Sequence, residues 1–81
     1  MTKLDKKKTI IKRKKLLREI KVQRVRLAMT QSQVAEGLNI SLTTFSVLEN
    51  GGQSIGIDKI IEVADLLGLE IVFKIKDDGE N

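Results

Sequence analysis

The chain has 81 residues, 15 Lys+Arg against 11 Asp+Glu, and no His, Cys, Pro or Trp. That length makes one domain, and 41% hydrophobic residues suffice for a core. Without Cys there are no disulfides, thiol nucleophiles or thiolate metal sites, and without His the commonest general base is missing; no catalytic residue, metal or cofactor is expected.

The net charge of +4 hides a split. Residues 1–18 carry nine bases (Lys3, Lys6, Lys7, Lys8, Lys12, Arg13, Lys14, Lys15 and Arg18) against Asp5 alone, a local +8. The remaining six bases and ten acids leave −4 on the body. A basic segment points to nucleic acid, to a membrane surface, or only to a solvated tail. No apolar run reaches the ~18 residues of a membrane span. The basic start lacks the apolar stretch of a signal peptide. A cytoplasmic protein with no membrane partner is expected.

In chain order, residues 1–8 read as mobile. A first helix is predicted from about Thr9 to Ala28, with Leu16, Leu17, Ile20, Arg24 and Leu27 on one face at steps of three and four. Thr30 followed by Gln33 has capping-box spacing and opens a second helix to about Leu38, with Val34, Ala35 and Leu38 inward. Asn39 suits a left-handed turn. Ser41 caps a third helix, Leu42 to Asn50, which stops at Gly51-Gly52. A fourth helix, Ile57 to Leu67, has its core stripe at Ile57, Ile60, Ile61, Ala64 and Leu67 and ends at Gly68. From Leu69 the period changes to two. Leu69, Ile71, Phe73 and Ile75 alternate with Glu70, Val72, Lys74 and Lys76, a strand pattern. Asp77 to Asn81 reads as frayed. The fold class is mainly α.

Two short helices joined by a tight turn form a helix-turn-helix unit. The residues make this more specific. Thr30-Gln31-Ser32-Gln33-Val34-Ala35, then Asn39-Ile40-Ser41, then Phe45-Ser46-Val47-Leu48-Glu49-Asn50-Gly51 resembles the Cro/cI-type (Xre) DNA-binding family. The likeness covers roughly residues 16–68 and extends to Leu66-Leu67-Gly68. It departs at Ala28 and Asn39, where the family usually has Gly, and near Ile55, where it often has Pro. The resemblance implies a four- to five-helix, lambda-repressor-like domain over residues 15–68. Residues 1–14 would be a basic arm and the start of the first helix, residues 69–76 a dimerisation strand, and residues 77–81 a tail.

Arg24 lies on the apolar stripe of the first helix, and Glu49 shares a face with Phe45 and Leu48. A lone charge facing a core is expensive. Either both side chains snorkel to water, or they pair. The family carries an Arg and a Glu at the matching positions, which implies a structural ion pair.

With Phe45, Leu48 and Glu49 inward, the third helix would face DNA through Leu42, Thr43, Thr44, Ser46, Val47 and Asn50, with Ser41 at its start. N-terminal residues of a recognition helix reach base edges in the major groove. The threonines can hydrogen-bond, and their methyls, with Leu42 and Val47, suit thymine methyl groups; Leu42 packing at the turn and Ser41 acting only as a cap are the plainer alternatives. By resemblance, Gln31 and Asn50 contact phosphates. Within Gln31–Gly51 there is no Lys or Arg. Phosphate affinity is largely electrostatic, so residues 3–18, Lys12, Arg13, Lys14 and Lys15 among them, are the expected source, lying along flanking phosphates or entering a minor groove, unless they form only a solubilising tail. With only Phe45 and Phe73 as aromatics, both expected to pack, stacking on single strands has no platform. Duplex DNA is the expected partner.

A single strand cannot satisfy its own backbone. The strand at 69–76 is therefore expected to pair antiparallel with its copy in a homodimer, with Ile71, Phe73 and Ile75 over the core. Leu69-Glu70-Ile71-Val72-Phe73-Lys74 after the fourth helix is similar to HipB-type antitoxins, which implies a repressor of its own operon that also binds a HipA-type kinase toxin. A phage-type repressor, a restriction–modification controller, and an interaction module that reads no DNA are the alternatives.

Overall fold

The computed structural model describes residues 5–52 and 55–76. Four helices occur among them: α1 (Lys6–Arg26), α2 (Gln31–Leu38), α3 (Leu42–Glu49) and α4 (Ile57–Leu66).

α1 starts three residues before the expected Thr9, so Lys6 to Lys8 are helical rather than mobile. The local cause is Asp5, whose carboxylate accepts from the Lys7 and Lys8 amides at 2.9 and 3.4 Å. A carboxylate there also suits the positive end of the helix dipole. Thr30 and Ser41 cap α2 and α3 as expected.

All four helices stop in the same way. After each stands one residue with positive φ: Ala28 at 57°, Asn39 at 57°, Gly51 at 81° and Gly68 at 74°. The amide following it turns back to a carbonyl of the last turn. Those bonds run Met29 to Arg24, Ile40 to Ala35, Gly52 to Val47 and Leu69 to Ala64. This is the Schellman arrangement. Three of the four positions hold Gly or Asn, which tolerate the left-handed region, while Ala28 adopts it against its Cβ.

The core joins Leu17 and Ile20 of α1, Val34 and Ala35 of α2, Phe45 and Leu48 of α3, and Val63 with Leu67 at the end of α4. Met29, Leu38, Ile40, Ile55, Ile60 and Leu69 close its edges. Three expectations need correction. Leu16 and Leu27 are exposed on α1, because only the Leu17–Ile20 side meets the other helices. On α4 the buried residues are Val63, Ala64 and Leu67, while Ile57 and Ile61 are exposed. Ile60, Ala64 and Leu67 of the expected stripe do face the core, joined by Val63 where α4 packs against α2. Phe73 is 100% exposed, not packed. No strand forms among the described residues, because none of them lays a second extended backbone beside residues 69–76. The expected tail at 77–81 lies outside the described residues.

No described helix is long and apolar enough to cross a membrane.

Candidate nucleic-acid interface

The geometry of the helix-turn-helix is set by its caps. Thr30 Oγ1 accepts from the Gln33 amide at 3.0 Å, and Gln33 Oε1 accepts from the Thr30 amide at 2.8 Å. This reciprocal capping box fixes where α2 starts. At α3, Ser41 Oγ accepts from the Thr44 amide at 3.0 Å, and the Ser41 hydroxyl donates to Thr44 Oγ1 at 2.8 Å. The Ser41 and Thr44 hydroxyls thus hold each other at the entrance of the helix. Between the caps, Val34 and Ala35 pack with Phe45 and Leu48, leaving the opposite side of α3 to solvent.

That outer side carries Leu42, Thr43, Thr44, Val47 and Asn50, all exposed, with Ser46 half-buried. Asn50 Nδ2 donates to the Ser46 carbonyl at 2.9 Å. The same Nδ2 lies 3.5 Å from Ser46 Oγ, so the amide is folded onto the last turn of α3. Gly52 must lie tight beneath Val47, since a Cβ on it would stand 2.7 Å from the Val47 carbonyl oxygen.

Behind this face sits a charged hub. Arg24 donates from Nε to Glu49 Oε2 at 2.6 Å and from Nη2 to Glu49 Oε1 at 3.1 Å. Its Nη1 donates to the Met29 carbonyl at 2.7 Å. Gln31 Nε2 donates to Glu49 Oε1 at 2.8 Å. The Glu49 side chain is 1% exposed and that of Arg24 11%. The hub therefore joins the end of α1, the turn after it, the first residue of α2 and the last residue of α3. It also holds the half-buried Gln31 amide in place, leaving its second N–H uncommitted to Glu49.

The basic segment is not detached from this site. Arg13, half-buried, donates from Nε to the Gly51 carbonyl at 3.1 Å. Lys14 lies against the same glycine, where a Cβ would come within 2.8 Å of its Cγ. Lys12 and Lys15 are exposed on the same helix. Among the described residues the salt bridges are Arg24–Glu49 and Lys59–Glu62, so neither involves the cations of residues 6–18. Two links escaped the sequence. One is Arg13 to Gly51, which no local pattern announces. The other is Gln23, whose Nε2 donates to the Leu67 carbonyl at 3.0 Å and ties α1 to the end of α4. Arg18 and Lys21 line one groove with Lys14 and Asn50, and their four- and seven-residue spacing from Lys14 puts the three cations on one side of α1.

Short capped helices crossing at a tight turn, with one side of the second left bare, define a DNA-binding helix-turn-helix protein. The helix-turn-helix family model matches residues 20–74. The chain belongs to this family of Cro/cI-type (Xre) DNA-binding transcription regulators. No curated protein and no solved structure matches it significantly.

Proposed function

We propose that this regulator is a sequence-specific repressor that occupies operator DNA as a homodimer, and that it serves as a HipB-like antitoxin of its own operon. The observation that carries the DNA reading is the bare outer side of α3, with Leu42, Thr43, Thr44 and Val47 projecting and no charge among them. Such a surface suits thymine methyl groups and the shape of the groove. Gln31, at the start of the unit, retains an amide N–H for a phosphate oxygen, and Asn50, at its end, reaches one by turning its amide away from Ser46. The cationic attraction falls to Lys12, Arg13, Lys14, Lys15 and the residues before them. Arg24 and Glu49 hold the parts in register and perform no chemistry.

The homodimer is supported by the exposed Ile71, Phe73 and Ile75, an alternating apolar row whose backbone pairs with no strand among the described residues. Two copies joined there would present two recognition helices to major grooves about 34 Å apart. The antitoxin role, with a HipA-type kinase as second partner, rests on the likeness of this tail to HipB-type antitoxins.

The test is a gel shift on the DNA upstream of the chain's own gene, against a scrambled duplex of equal length. Preferential binding is expected. Equal affinity for both duplexes refutes the repressor. For the antitoxin role, co-purification with the product of a neighbouring kinase-like gene is the readout, and failure of the two to associate overturns it.

A further inference from the structure

Between α1 and the C-terminal end of α3 lies a groove of about 490 Å³. Lys14, Arg18 and Lys21 stand along one wall and Asn50 opposite, over the exposed side chains of Val22 and Val25. We propose that this groove seats one strand of the DNA backbone, with Lys14, Arg18 and Lys21 as its phosphate-binding cations. The inference rests on the DNA-binding reading and names contacts within it.

Steps of four and three residues put the three cations on one side of α1. From Lys14 to Lys21 the helix rises about 10 Å. The acid among the lining residues, Glu49, is committed to Arg24 and 1% exposed, so it does not neutralise the row. The groove is also held open in a fixed shape. The Arg13 bond to the Gly51 carbonyl and the packing of Lys14 on Gly51 set the rotation of α1 against the end of α3. Val25 lines a second hollow with Arg24, Gln31 and Leu42. The row of cations therefore leads toward the start of α2 and of α3. A unit without any Lys or Arg from Gln31 to Gly51 acquires its positive flank from the helix packed behind it.

The experiment compares the full chain with its Arg18→Gln/Lys21→Gln variant on a duplex of arbitrary sequence across a range of KCl concentrations. Each phosphate contact contributes about 0.9 to the slope of log affinity on log salt. The variant is expected to lose close to two units of slope and at least about tenfold in affinity at low salt. Its melting temperature should stay unchanged, since both side chains are exposed. A Lys74→Gln/Lys76→Gln variant, with the same loss of charge on the tail, should keep the parent slope. The groove is overturned if Arg18→Gln/Lys21→Gln keeps the parent slope, or if the tail variant loses as much. A parent chain that binds no duplex at any salt overturns the DNA-binding reading along with it.

Discussion

Arg24 and Glu49 meet through two hydrogen bonds, Nε to Oε2 at 2.6 Å and Nη2 to Oε1 at 3.1 Å, across 25 positions of chain. A buried ion pair is weak evidence of net stability, because desolvating both charges offsets most of their attraction. Removing one member is a different matter. Glu49→Ala leaves the Arg24 guanidinium buried without its counter-charge, at a cost of about 3–5 kcal/mol. For a domain of this size that lowers the melting temperature by more than about 10 °C. Thermal unfolding followed by circular dichroism measures it, and an unchanged melt means the clamp contributes nothing. Replacing both, as Arg24→Met with Glu49→Leu, should recover most of the loss.

Ala28→Gly should stabilise the chain. Ala28 has φ 57° in the turn that ends α1, where an L side chain costs roughly 1–2 kcal/mol. The greater freedom of glycine in the unfolded chain returns about half of that. A net gain near 0.5–1 kcal/mol, or a few degrees of melting temperature, is expected. A lower melting temperature contradicts the assigned strain.

Affinity and readout should separate by mutation. Lys6→Gln/Lys7→Gln/Lys8→Gln removes charge from the first turn of α1, and should lower the salt slope by about two to three units with little change in sequence preference. Thr43→Ala should do the reverse, narrowing the gap between operator and scrambled DNA by about tenfold at an unchanged slope. If the lysine variant alters preference and the threonine variant alters slope, the two roles are wrongly placed.

The tail should control oligomeric state. Phe73→Ser/Ile75→Ser changes two side chains that are 100% and 93% exposed in one chain, so the fold should survive. Sedimentation equilibrium is expected to give twice the 9.1 kDa chain mass for the parent and the single mass for the variant. A parent that sediments as a monomer at micromolar concentration sinks the homodimer.

What could be read from the sequence was mostly local. Thr30 with Gln33, Ser41, Asn39 and Gly51 each act within a few residues of themselves, and so the starts and stops of α2 and α3 are written in short words. Asp5 is equally local, but the lysines after it read as a solvated run and masked the cap. What could not be read depends on which elements meet. Ile57 and Ile61 are as apolar as Val63, and only the packing of α4 on α2 decides which is buried. Phe73 satisfies every local criterion for a core residue, yet none of the described residues covers it. Likewise, the Arg13–Gly51 bond joins residues 38 positions apart, beyond any periodicity.

The absence of Lys and Arg from Gln31–Gly51 has a consequence for the chain as a regulator. On the proposed reading, ionic strength would act on the cations of α1, which grip any duplex alike, and would leave the neutral contacts of α3 nearly untouched. As salt rises, operator and bulk DNA lose affinity in parallel. Their ratio, which sets the fraction of protein found at the operator amid competing genomic sites, stays level. Operator occupancy built this way would tolerate shifts in salt that weaken every cationic contact.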